Sequence, residues 1–334
     1  MQLDFQKSIA SSQMTLPVVG FIAAVMWVVL PLLGGGDVAE PVMDGDATYG
    51  LWHYVPQQFQ TGYWGLGLGF ALAAVVVYLL AELNNSNVLL RISSRILSST
   101  LVFILMLLPA MHTVQPGLFV MAMCAVSFFP LFATYQLPHP KYVFLSYMLL
   151  SLASLAFPKL LLVVPVYWVL QGYLRSMTFR CLMASVIGVV LPYWAFAGIA
   201  FLTDSIGEFV SAVIGIIDFS WYDYTLLTTP QISRFAFVLV LFVVGVIDFY
   251  RNNFLDKTRT RILYNTVIIH AAFLLLYLCL QPQYFSVLFA LFAFDTAIVY
   301  GHFFALTYTK FSHILNIVIF VLALGCLVLQ LGYV

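Results

Sequence analysis

Between Gly34 and Pro56 the chain reads GGGDVAEPVMDGDATYGLWHYVP, which places Asp37, Glu40, Asp44 and Asp46 within ten residues that hold no lysine or arginine. Oxygen ligands gathered in a glycine-containing loop suit Mg²⁺, Mn²⁺ or Ca²⁺, and one carboxylate in such a loop suits a general base. Asp44 and Asp46, split by one glycine, are the candidates for catalysis or for holding a divalent cation. The competing reading is a solvated acidic loop with no chemistry of its own.

Three other groups invite chemistry. Lys159 in AFPKLLLVVP and Arg234 just after TTPQIS each follow a proline turn into an apolar run. Cations at such starts suit a phosphate or diphosphate, or else snorkel to lipid headgroups. The stretch SWYDY puts Asp223 among Trp221, Tyr222 and Tyr224. Stacking faces beside an acceptor suit a sugar ring, and the same aromatics suit a membrane-interface belt. Finally, His270 in NTVIIHAAFLLL and Asp295 in LFAFDTAIVYGHFF fall at similar depth on consecutive apolar segments, with His302 two turns beyond Asp295. Ionisable groups at mid-membrane are functional candidates by default. A His–Asp pair there either relays protons or locks two helices. Asp248, close to Arg251, reads as an inner-interface salt bridge.

The elements that position these residues follow from composition. Of 334 residues, 63% are hydrophobic and 8% charged, against about 25% charged in soluble domains. A bilayer core needs roughly 20 apolar residues per helix, and such runs recur from end to end. The fold class is an all-α, polytopic membrane protein forming one integral domain over 1–334. Runs and breakers give about eleven spans: 16–33, 63–82, 97–112, 116–135, 142–157, 159–174, 181–201, 233–250, 263–280, 284–303 and 312–331. With the N-terminus inside, all but Lys159 and Arg234 of the 13 basic residues fall on the inner face, many in the basic loop 251–262. The positive-inside rule then sets the C-terminus outside.

Two outer segments, 34–62 and 202–232, are too long for turns. In the second, Asp204, Glu208, Ser211, Gly215 and Asp218 recur with helical spacing opposite Ile206, Phe209, Val210, Val213, Ile214 and Ile217. This predicts an amphipathic surface helix near 204–218, acidic rather than basic on its polar face and placed to roof a cavity. The first apolar run is longer than a signal-peptide core and reads as a retained helix. A net charge of zero implies no attraction to nucleic acid. Cys124, Cys181, Cys279 and Cys326 lie far apart in apolar runs and read as small hydrophobes. Nucleophile-elbow, zinc-protease, P-loop and haem signatures are absent, and His53, His112 and His139 stand alone, which gives little support to a multi-histidine metal centre of the desaturase or oxygenase type.

The segment SYMLLSLASLAFPKLLLVVPVYWVLQGYLRSMTFRCLMASVIGVVLPYW (146–194), with LLAELNNSNVLLRISSRIL before it, resembles a family of uncharacterised multi-pass inner-membrane proteins of Bacteroidota. The likeness covers roughly 80–200: a small-residue helix, a proline turn, then Arg175, Arg180, Gly188 and Leu191–Trp194. It implies a bacterial inner membrane and no assigned reaction. More distantly, the acidic first outer loop and the later K-x-x-x-x-x-P at Lys159 resemble multi-pass polyprenyl-phosphate-dependent glycosyltransferases, in which a carboxylate of the first outer loop serves the acceptor or a metal. Only Asp44 and Asp46 match that carboxylate here. Three readings stay open. The first is a glycan or lipid-linked sugar enzyme at the outer face, with a polyprenyl-phosphate-linked sugar as partner. The second is a proton-coupled transporter using His270 and Asp295. The third is a non-catalytic membrane subunit that grips an envelope protein partner.

Overall fold

The computed structural model describes residues 4–12, 14–33, 52, 55–56, 59, 62–92, 94–108, 111–217 and 227–333. Asp37, Glu40, Asp44 and Asp46 lie outside the described residues, as do Asp218, Trp221, Asp223 and Tyr224. Among the described residues every regular element is a helix. In chain order they are α1 (Asp4–Ser11), α2 (Thr15–Leu33), α3 (Gly62–Asn87), α4 (Ile96–Met106), α5 (Pro116–Ala133), α6 (Pro140–Ala156) and α7 (Val164–Tyr173). Then come α8 (Phe179–Leu202), α9 (Ile206–Ile214), α10 (Thr229–Asn252), α11 (Thr258–Leu280), α12 (Phe285–Leu306) and α13 (Lys310–Tyr333). A six-residue 3₁₀ helix, Pro158–Val163, leads into α7.

Proline sets several of the starts. Pro116 and Pro140 open α5 and α6, and Pro230 follows a reciprocal Thr228–Gln231 cap on α10. A proline costs nothing where the first amides have no intrahelical partner. Each apolar run read from the sequence contains helix, although in the run 97–112 the helix ends at Met106. Among the described residues, seven helical segments are long and apolar enough to cross a membrane. The remainder are shorter, as with the 11 residues of α4 and the 17 of α6. The chain is a multi-pass membrane protein.

Helix α12 is the hub. It packs against α4, α5, α10 and α11, and 94% of the Pro282–Leu306 window is buried, against 22% for the windows in α8 and α13. The rim helices therefore face the surrounding solvent or lipid, while α12 is walled by protein. Small residues permit the close approach. A Cβ on Gly301 would sit 3.1 Å from Leu97 Cα in α4, and one on Gly245 of α10 would sit 3.0 Å from Tyr300 N. Packing of this kind, rather than the hydrophobic effect, holds membrane helices together.

The residues of the family-like segment turn out to be packing devices. A Cβ on Gly188 of α8 would lie 2.7 Å from Phe144 O in α6. Just beyond, Ser151 Oγ donates to Val189 O at 2.7 Å and the Ser154 and Tyr193 hydroxyls lie 3.0 Å apart. Gly188 and Tyr193 of α8 with Ser151 and Ser154 of α6 thus form the α6–α8 seam.

The amphipathic surface helix is present as α9, shorter than its periodic pattern. Asp204 enters it with φ +55°, a left-handed value that Asp tolerates better than most residues. Phe209 inserts against Tyr193 and Phe196 of α8, at 6.2 and 5.7 Å between ring centroids. Ile206, Val210 and Ile214 stay exposed beside Glu208. The helix therefore half-buries a narrow stripe at Phe209, Ala212 and Val213 and presents apolar residues together with Glu208 outward.

Candidate functional site

The backbone turns at Phe157 and Pro158, and the 3₁₀ helix that follows brings Lys159 inward to 7% exposure. Its Nζ stands 4.7 Å from the centre of the Tyr284 ring, a cation–π contact. The Tyr277 hydroxyl donates to Lys159 O at 3.2 Å, and the Phe157 ring meets Tyr284 edge-on at 5.3 Å. Around the ammonium lies a cleft of about 160 Å³, lined by Phe157, Pro158, Lys159, Tyr284 and, from the α9 side, Ser211, Ala212 and Gly215. The amphipathic helix does roof a cavity, and the cavity contains the lysine singled out by its position in the sequence. Among the described residues its polar side chains are one ammonium with a phenol and a serine hydroxyl, a set suited to an anionic oxygen-rich group.

Arg234 is not among the residues lining this cleft. It is 4% exposed, and its Nε donates to Pro230 O at 2.9 Å, back onto its own helix. Its charge is felt by His112, in the 107–115 connection between α4 and α5, and by Cys326 of α13. The His112 ring stacks on Trp27 with centroids 4.1 Å apart, and Trp27 Nε1 donates to His112 O at 2.9 Å. Burial, reinforced by the Arg234 charge and opposed by the carbonyls of Leu105 and Met106, lowers the His112 pKa from 6.5 to about 4. His112 read as an isolated histidine in the sequence, and its role is that of a neutral aromatic wedge.

In the hub, the sequence-level pairing is met directly. His270 Nδ1 of α11 lies 2.7 Å from Asp295 Oδ2 of α12, with side chains 1% and 0% exposed. Phe128 and Tyr167 approach the imidazole edge-on at 5.3 and 5.8 Å. Beyond them run the Ser127–Tyr167 hydroxyl pair at 2.8 Å and a Tyr147-to-Gln171 hydrogen bond at 3.2 Å. Neither His270 Nε2 nor Asp295 Oδ1 has a hydrogen-bond partner among the described residues. A buried donor or acceptor left in that state is costly. The arrangement can hold one proton between two helices and offers a further nitrogen and oxygen for a second partner.

His302, placed on the same helix face by its spacing, does not join that pair. It lies 3.1 Å from Asp256 Oδ2, whose other oxygen meets Arg91 Nε at 2.7 Å. Tyr264 and Phe249 close over the imidazole. Burial alone would raise the Asp256 pKa, but the hydrogen bond and charge of His302 and the Arg91 guanidinium outweigh it and hold it below the usual value. Asp248 likewise departs from the expected pairing with Arg251: it accepts from Asn252 Nδ2 at 2.8 Å and from Thr307 Oγ1 at 2.7 Å. The signal that was missed is Asp256 itself, a lone acid inside the basic run RNNFLDKTRTR.

No known protein family, curated protein or solved structure matches the chain. Among the described residues, no three His, Cys, Asp or Glu side chains gather closely enough to hold a metal ion. The carboxylates proposed for a divalent cation, Asp44 and Asp46, lie outside those residues.

Proposed function

We propose that this multi-pass protein binds the phosphate of a membrane lipid in the cleft between Lys159 and α9, and that it transfers a lipid-linked sugar there. The observation that carries this reading is the buried Lys159 ammonium beside Tyr284 under an amphipathic helix. A cation sheltered at the rim of a bundle neutralises a lipid phosphate and keeps the lipid tail in the bilayer. In the reaction an acceptor hydroxyl oxygen attacks the anomeric carbon, and the bond from that carbon to the phosphate oxygen breaks. The polyprenyl phosphate or diphosphate leaves with its charge held by Lys159. Asp44 or Asp46 takes the hydroxyl proton, alone or with a divalent cation, and Trp221 and Asp223 hold the sugar. The cleft lies at the outer face of a bacterial inner membrane, with Arg234 supporting the same end of the bundle from a separate position.

Cells carrying Asp44→Asn or Lys159→Ala at normal protein level are expected to lose the envelope glycan that depends on this protein. Wild-type glycan in both would remove the enzyme reading.

One observation favours a second reading. The His270–Asp295 contact sits midway along two core helices, where a transporter would place a proton relay. If Asp295→Asn abolishes function at wild-type stability while Lys159→Ala has no effect, proton-coupled transport replaces transfer.

A further inference from the structure

A second cleft, of about 200 Å³, opens between α4, α12 and α13 near the opposite end of the bundle. Its wall is almost wholly apolar, with Phe103, Phe304, Ile319 and Phe320 prominent. Of its polar side chains, Thr15, Ser99 and Thr100 donate back to the carbonyls of Ile9, Arg95 and Ile96, which leaves Tyr300 and Asn316. The Tyr300 hydroxyl donates to Asn316 Oδ1 at 2.6 Å, and Asn316 Nδ2 is then a buried donor with no hydrogen-bond partner among the described residues. In a hydrocarbon environment an amide donor in that state needs an acceptor from elsewhere.

The rim supplies charge. Helix α1 crosses the end of α12, tied down by Gln6 Nε2 to the carbonyls of Phe304 and Thr307 at 3.0 and 3.1 Å. Its Ile9 lines the cleft while Lys7 is exposed. Lys310, also exposed, heads α13. Among the described residues, the acid on the Thr307 side of this rim is Asp248, whose oxygens accept from Asn252 and Thr307. Along α13 the order is therefore cation at Lys310, amide donor about 9 Å deeper at Asn316, then apolar Ile319 and Phe320.

We infer that this cleft holds one acyl chain of an anionic glycerophospholipid, with its phosphate at Lys7 and Lys310 and an ester carbonyl accepting from Asn316 Nδ2. The lipid matches the cleft in the sequence of its parts: charge, carbonyl, hydrocarbon. It is also separate from the Lys159 cleft, because Tyr284 and Tyr300 are about 24 Å apart along α12. Its occupancy thus stands or falls independently of sugar transfer.

The test uses the full chain, purified in a maltoside detergent and titrated with phosphatidylglycerol, phosphatidylcholine or glycerol 3-phosphate. Affinity is read from the concentration dependence of the melting midpoint. Phosphatidylglycerol is expected to bind about tenfold more tightly than phosphatidylcholine, a gap that closes in Lys7→Ala/Lys310→Ala. Glycerol 3-phosphate, lacking chains, is expected to give no shift. Asn316→Leu should weaken both phospholipids, and Thr100→Phe, which fills the cleft, should weaken them further. Equal binding of the two phospholipids to wild type would overturn the inference, as would full affinity in either cleft variant. If the variants do not fold, the wild-type preference and the phosphatidylglycerol retained in native mass spectra decide it.

Discussion

His270 Nδ1 and Asp295 Oδ2 are 2.7 Å apart at the centre of the bundle, and each comes from a helix that the sequence gives no other reason to interrupt with a polar group. The pair joins α11, whose Tyr277 bonds the Lys159 carbonyl, to α12, which starts directly after the cleft residue Tyr284. Removing one partner strands the other in the protein core. Asp295→Leu or His270→Leu alone should therefore cost about 3–5 kcal/mol of stability. The double variant should cost clearly less than the sum, with a coupling of about 0.5–3 kcal/mol. Unfolding in detergent for the four-member cycle measures this; additive losses would show that the contact is not formed.

Acid sensitivity should trace to His112. Its folded pKa, about 4 against 6.5, lies below that of the unfolded chain. The unfolded state therefore takes up a proton first as pH falls. The sign follows: stability is full above pH 6.5, falls through the window from 6.5 to about 4, and loses up to about 3 kcal/mol there. His112→Leu should flatten that window. Asp256, with its pKa held low, adds a further loss only below the ordinary carboxylate range. A profile of wild-type stability that is level from pH 7 to 4.5 would contradict the burial argument.

The α6–α8 seam is expected to be intolerant of bulk. Gly188→Ala forces a methyl against Phe144 O at 2.7 Å, where backbone on both sides resists movement, and should destabilise by about 1–3 kcal/mol. Gly198→Ala, on the same helix with no heavy atom within 4 Å of its Cβ position, serves as the control and should be near neutral. Melting midpoints of the two variants check the comparison.

Much of this architecture is visible in the sequence because lipid leaves the backbone few options. Long apolar runs favour helix because lipid offers the backbone no other partner, and the proline starts of α5, α6 and α10 are local chemistry. His270 and Asp295 were legible as a pair because ionisable residues are rare at that depth. The roof over Lys159 was legible from the period of Ile206, Phe209 and Val213. The partners of His302 were not: its bond to Asp256 spans 46 residues and depends on how α10 turns into α11, which no periodicity encodes. Arg234 was legible as an exception to the charge rule but not in its direction, since only the folded helix shows its Nε turned back to Pro230. The hub role of α12 escaped the sequence too, because a protein-walled membrane helix and a lipid-facing one are equally apolar.

The most direct test is binding at the Lys159 cleft. The full-length protein in lipid nanodiscs is titrated with a polyprenyl phosphate and, separately, with the polyprenol of equal chain length. The phosphate should bind at least about tenfold more tightly than the alcohol, a difference of about 1.4 kcal/mol. That preference should disappear in Lys159→Ala and persist in Lys310→Ala. Equal affinity for phosphate and alcohol in the wild type, or an undiminished preference in Lys159→Ala, would contradict the proposed role of the cleft.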